Sequence, residues 1–203
     1  ELRIFEPPRF FEGFLVGRRY DEVGDIVARI CGICPVSHMT TAIRAVEKAM
    51  AYEPSPQTKT LRHVASLAQI AGSHLVHLYA LALPDYLGCR GLPDILKLEP
   101  EEVERLLRLR AVMDDLTAAI SGGRALHPIG TLPGGFTSLP SRNRLMDLRQ
   151  RLLDSRDDAA AVVRLISDLE APELNRVREF AALRTDEGYT VNRGDIISSD
   201  GLH

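Results

Sequence analysis

The 203-residue sequence has no tryptophan, and its aromatic fraction is only 5%. Filling a core therefore falls to Leu, Val, Ile and Ala. Neither sign of charge dominates. Lys and Arg number 25 against 28 Asp and Glu, a formal net charge of −3. The two signs are interspersed, so no basic footprint for nucleic acid forms. Neither G-x-G-x-x-G nor a phosphate-binding loop occurs, which leaves nucleotide binding unsupported. Three cysteines are too few and too unevenly placed for a disulfide framework. The apolar and charged fractions, 45% and 26%, are those of an ordinary globular protein.

The informative segment is Arg29-Ile30-Cys31-Gly32-Ile33-Cys34-Pro35-Val36-Ser37-His38. Pro35 suits the first position of a helix, where a missing N–H costs nothing, and that makes Cys34 the cap residue. A helix start carries free N–H groups and partial positive charge, which favours thiolate there. Gly32 permits a tight turn. His38 lies four residues beyond Cys34, on the same helical face. Cys31 and Cys34 can thus converge as soft ligands for zinc, nickel, copper(I) or clustered iron. On residue types alone three readings stand: half of a zinc site, a redox pair, or a specialised metal centre. Zinc wants two further ligands, and Cys89 has no partner nearby. A redox pair wants a βαβ setting, whereas this chain reads as helical.

Three further blocks accompany the motif. Upstream, Arg9, Glu12 and Arg18 stand in Arg9-Phe10-Phe11-Glu12-Gly13-Phe14-Leu15-Val16-Gly17-Arg18. Downstream come Ser73-His74-Leu75-Val76-His77-Leu78-Tyr79 with Leu83-Pro84-Asp85, and then Gly123-Arg124-Ala125-Leu126-His127-Pro128 with Pro133-Gly134-Gly135-Phe136. These blocks, in this order over residues 6 to 140, resemble nickel–iron hydrogenase large subunits.

The resemblance implies reversible oxidation of H2 to protons and electrons. It makes Cys31 a terminal thiolate on nickel and Cys34 a bridge between nickel and iron, with small diatomic ligands on the iron. His38 would hydrogen-bond the bridging sulfur, Glu12 would help bind magnesium, and Arg29, His74 and Asp85 would support the centre or a proton path. Ser73 stands where some members carry an acidic residue. The family takes its other two cysteines from a D-P-C-x-x-C-x-x-H motif that does not occur in this sequence. The chain is therefore expected to be the N-terminal part of a large subunit, residues 1–203, inactive alone. Its partners would be a small subunit with iron–sulfur clusters and a diaphorase-type subunit, with no nucleic acid and no membrane span. The opening residues carry no signal-peptide pattern, although a partner can direct export in this family. The Pro-Arg-Phe-Phe-Glu and Gly-Ile-Cys-Pro wording looks like the soluble cytoplasmic branch that serves NAD(P) or a deazaflavin. The alternative is a non-catalytic C-x-x-C metal or redox module.

The expected fold is mainly α, a bundle of long helices with minor β at the ends. A short helix is expected near residues 20–28. The next, from Pro35 to about Tyr52, buries Val36, Met39, Ile43, Val46 and Met50 and turns Arg44, Glu47 and Lys48 outward. Pro54-Ser55-Pro56 starts a helix to about Leu83 that carries no Asp, Glu, Lys or Arg from His63 to Pro84. That run is long enough to cross a membrane, but His63, Gln69, Ser73, His74 and His77 interrupt it, as in a helix buried inside a large protein. A loop containing Pro84, Gly88, Gly91 and Pro93 comes next. Pro100-Glu101-Glu102 opens a helix with acids in its first turn, which ends at Gly122-Gly123. Ser141 caps one long helix to about Leu169, with a solvated Arg/Asp face. Pro172 begins a last helix to about Leu183, and Thr190-Val191 pairs with Ile196-Ile197 in a small hairpin.

Overall fold

A computed structural model describes residues 3, 5, 7, 9–170, 173, 176–186 and 194–201. The chain divides into two compact units, Glu1–Ile166 and Ser167–His203. The first is helical. Short α1 (Phe10–Gly13) and α2 (Val23–Val27) precede α3 (Pro35–Ala49) and α4 (Pro56–Val76). A π-helical stretch, His77–Ala82, joins α4 to α5 (Leu83–Tyr86). Then come α6 (Leu92–Leu98) and α7 (Pro100–Ile120), followed by a small antiparallel hairpin of β1 (Thr131–Leu132) and β2 (Gly135–Phe136). Helices α8 (Arg142–Asp154) and α9 (Arg156–Ser167) complete the run. The loop expected after Pro84 thus contains α5 and α6, and one of the two hairpins lies mid-chain.

Helices α3, α4 and α7 form the core. Met39 and Ile43 from α3 meet Ala65 and Ala68 from α4, Leu116 and Ile120 from α7, and Leu148 from α8. Each large aliphatic side chain buried here stabilises by about 1.5–3 kcal/mol. Small residues set the spacing. A methyl at Gly72 would lie 3.4 Å from the Arg110 guanidinium and 3.7 Å from Met113, so α7 passes close over α4. Ser55 caps α4 by accepting a hydrogen bond from the Thr58 N–H at 3.1 Å. The stretch Pro56–Tyr86 has a mean hydropathy of 1.2 over its most apolar window. Two of its polar residues are tied into the protein all the same. The Ser66 hydroxyl donates to the Arg62 carbonyl, and Gln69 bonds to α3. Of that window, 33% is buried here.

Glu47 does not face out. It is 3% exposed and paired with Arg62, itself 5% exposed. Both Arg62 terminal nitrogens donate to the carboxylate, at 2.9 and 2.7 Å. Glu47 Oε1 also accepts from the Gly134 N–H at 2.7 Å, and Arg62 donates to the Leu132 carbonyl at 3.0 Å. A charge on a 3-4 helix stripe can point inward when a fork of opposite charge waits there. The pair binds α3, α4 and the β1–β2 hairpin at one point.

The expected long helix is broken at Ser155, whose hydroxyl donates back to the Leu152 carbonyl at 2.9 Å, a bond that bends helices. Nor is the Arg/Asp face merely solvated. Arg151 and Arg144 reach Asp115 of α7 at 2.6 and 3.7 Å. Asp158 of α9 holds Arg108 at 2.9 Å and Arg105 at 3.5 Å. Arg105 also pairs with Glu102, which accepts from the buried Tyr79 hydroxyl at 2.7 Å.

The second unit is a hairpin. Strand β3 (Ala181–Arg184) pairs antiparallel with β4 (Asp195–Ser198), so Ile197 faces Ala182 and Ile196 faces Leu183. The helix expected over residues 172–183 does not form across 176–184. Val177 and Phe180 are exposed, so a helix there would have no apolar partner, and short isolated helices are marginal. Cross-strand pairing with two β-branched isoleucines overrides the helical preference of Ala181-Ala182-Leu183. Ile196-Ile197 is a strand as expected, but its expected partner, Thr190-Val191, lies outside the described residues.

Candidate metal centre

Cys34 occupies the cap position of α3 and Pro35 its first turn, as the sequence requires. The two sulfurs and a His38 ring nitrogen all lie within 4.8 Å of one another. Among the described residues no other group of three or more His, Cys, Asp or Glu side chains is close enough to hold one ion. The chain therefore brings Cys31, Cys34 and His38 together.

The electrostatics of the pair reverse the expectation from the helix start. Cys31 Sγ, not Cys34 Sγ, collects the turn's N–H groups, from Ile33 at 3.4 Å and Cys34 at 3.3 Å. The Cys31 thiol is lowered from its ordinary range, first by a hydrogen bond from Cys34 and then by those backbone donors. Burial, and then the hydrogen bond and charge of Cys31, push the Cys34 thiol up to about 11.

The other expected residues are more dispersed. Arg29 is exposed, and its charge acts on Asp25, whose carboxyl burial holds above the ordinary range. Glu12 lies on α1, exposed and bonded to Arg9 at 2.6 Å. His74, His77 and Asp85 are also exposed. The rings of Phe10 and Phe11 on α1 and of Phe14 just after it stack edge to face.

Two residues not assigned to the centre from sequence do hold it in place. His127, at φ +49°, has its Nδ1 2.9 Å from the Ala28 carbonyl, so the loop after α7 is pinned just before the cysteine turn. Leu126 of that loop lies 3.7 Å from where a Gly32 methyl would be. Replacing His127 with Ala should reduce stability by about 1 kcal/mol and speed amide exchange in residues 122–130, with α4 unchanged. The second residue is Gln69, which bonds to the first two N–H groups of α3. Its signal in the sequence is that it is the one carboxamide in a run without charge. A small open cleft lies beside the turn, lined by Gly32, Ile33, Pro35, Gln69, Arg110 and Asp114 among others.

The model of the nickel-dependent hydrogenase family matches residues 9–111, just over half of the chain and all of the cysteine turn. The chain belongs to the nickel-dependent hydrogenase family. Among curated relatives, the alpha subunit of sulfhydrogenase 2 from Pyrococcus furiosus is 36% identical over 84% of this chain. The alpha subunit of sulfhydrogenase 1 from the same organism is 35% identical over 99% of it. The chain spans 41% and 47% of those two relatives. Among solved structures, an NAD+-reducing [NiFe]-hydrogenase in its H2-reduced state superimposes with a TM-score of 0.84 at 26% identity, over 98% of this chain and 48% of that one. The Ni-Fe-Se hydrogenase of D. vulgaris Hildenborough follows with a TM-score of 0.67 at 25% identity, over 80% of this chain and 37% of that one.

Proposed function

We propose that this chain supplies two of the thiolates of a nickel–iron centre, and that the assembled large subunit oxidises H2 reversibly to protons and electrons. The carrying observation is the convergence of Cys31, Cys34 and His38 within 4.8 Å in a chain of this family. The donor set fits the group, because soft thiolates on a short turn suit nickel and iron. Cys31 and Cys34 would hold the metals, and His38 would hydrogen-bond the Cys34 sulfur and orient it. When bound, the centre supplies the redox chemistry that splits H2. Glu12 is assigned to magnesium, and Arg29 keeps positive charge beside the turn. In this reading residues 1–203 are the N-terminal part of the large subunit, diatomic ligands sit on iron, and no segment crosses a membrane. Electrons leave through an iron–sulfur small subunit and a diaphorase-type subunit in the cytoplasm. The NAD+-reducing neighbour supports the diaphorase-type partner.

The test is elemental analysis after anaerobic purification from cells with nickel–iron maturation machinery. This chain alone should retain almost no nickel or iron. Supplied with a large-subunit segment bearing D-P-C-x-x-C-x-x-H, it should retain both stoichiometrically. Cys34→Ala should lower retention by more than the ~100-fold upper bound for losing an outer contact. Stoichiometric zinc alone would instead make Cys31 and Cys34 a non-catalytic metal module.

A further inference from the structure

A helix begins with N–H groups that have no partner within the helix. Ordinarily the side chain of the cap residue accepts from them. In α3 the cap residue is Cys34, and it makes no side-chain cap bond. Pro35 has no N–H, so the first donors are Val36 and Ser37. Both donate to one atom from another helix. Gln69 Oε1 accepts from the Val36 N–H at 2.6 Å and the Ser37 N–H at 3.2 Å, and Gln69 Nε2 donates to Ser37 Oγ at 2.6 Å. Gln69 is held in turn by its helix, since Ala65, Ala68 and Gly72 beside it are buried.

We propose that Gln69 is a positioning residue for Cys34. It caps α3 from outside and so leaves the Cys34 side chain uncommitted, free to face Cys31 and His38. A serine or aspartate at the cap would satisfy the same N–H groups by turning its own oxygen inward. A cysteine there can offer its sulfur to a ligand only if another group does the capping. A neutral carboxamide does so without adding negative charge beside two sulfurs that must both be thiolates to bind metal. The purpose of this arrangement rests on the metal-centre reading above; the capping itself does not.

The test uses this chain, metal-free, with Cys89 as an internal reference on the loop between α5 and α6. Gln69→Leu removes both the acceptor and the donor. It should raise amide exchange at Val36 and Ser37 about tenfold, as expected for losing a hydrogen bond to a part-buried donor. It should also raise the site-resolved alkylation rate of Cys34, leaving Cys89 unchanged. Gln69→Glu keeps an acceptor at the same reach and should keep the protection of Val36 and Ser37. Cobalt(II) then supplies a second readout, with Gln69→Leu weakening its thiolate complex about tenfold. If the wild-type chain shows no thiolate-to-cobalt charge-transfer band while the Cys34 change persists, the positioning role stands on the alkylation result, and the metal reading is decided by nickel and iron retention with the second segment. If Cys34 alkylation is the same in Gln69→Leu as in wild type, or rises only in step with Cys89, the proposal is overturned.

Discussion

Arg62→Leu should lower the unfolding free energy by about 3–5 kcal/mol, read as a shift in the urea midpoint. The variant leaves Glu47 as a buried charge whose guanidinium partner is gone. The Gly134 N–H still donates to it at 2.7 Å. Glu47→Leu should be similarly damaging, because Arg62 is then the stranded ion. The double variant should recover about 1–3 kcal/mol, since a buried ion pair is often replaceable by apolar side chains. Recovery should be incomplete, because the Leu132 carbonyl and the Gly134 N–H would each lose a charged partner. An independent check is acid. Burial pushes the Glu47 carboxyl up, but the Arg62 hydrogen bonds, the Gly134 N–H and the Arg62 and Arg44 charges pull harder, and the net direction is below its ordinary 4.5. A carboxylate with a depressed folded value contributes stability above its unfolded value and loses it as pH falls through the folded one. Wild type should therefore shed this contribution below about pH 4.5, whereas Glu47→Gln should show no such loss. Parallel acid profiles for the two would mean that Glu47 is not the group responsible.

Gly130→Ala is the second severe substitution, at about 3 kcal/mol, the upper end for overpacking. A methyl there would lie 2.5 Å from the Gly122 nitrogen and 2.6 Å from its Cα. These are backbone atoms, so no side chain can swing aside. Gly122 itself sits at φ +75°, with its own missing Cβ 2.8 Å from Gly130 Cα. The two glycines let the chain leaving α7 fold back on itself, which carries His127 to the Ala28 carbonyl. Gly123→Ala is the control. It shares the left-handed backbone at φ +83° but has open space around it, so it should lose only about 1–2 kcal/mol to conformational strain. Equal melting temperatures for the two variants would show that the close approach contributes nothing.

Periodicity and punctuation made much of the fold legible. The starts of α3, α4 and α7 follow from Pro35, Ser55-Pro56 and Pro100, and the core stripe of α3 from Val36, Met39 and Ile43. The cysteine turn was readable because Cys31, Cys34 and His38 are close together in sequence. What could not be read depends on partners distant in the chain. Glu47 looks like a surface charge until Arg62, fifteen residues on, is folded against it. Gln69 looks like an interruption until α3 starts beside it. Ser155 and the Ala181–Arg184 segment misled for a different reason. Helical preference is a weak local bias there, and one hydroxyl bond or one strand partner outweighs it. Glu12 marks the limit of the candidate site. The sequence block names it, and α1 carries it exposed, bonded to Arg9.

The carboxylate and arginine pairs joining α7 to α8 and α9 respond to heat differently from the aliphatic core. Removing water from charged groups becomes less unfavourable as temperature rises, while stabilisation from apolar burial levels off. Asp115 held by Arg144 and Arg151, and Asp158 held by Arg105 and Arg108, therefore carry a growing share of the stability as the chain is warmed. Dissolved salt screens such partly exposed pairs, so the side of the bundle that resists heating most is also the side that ionic strength weakens most.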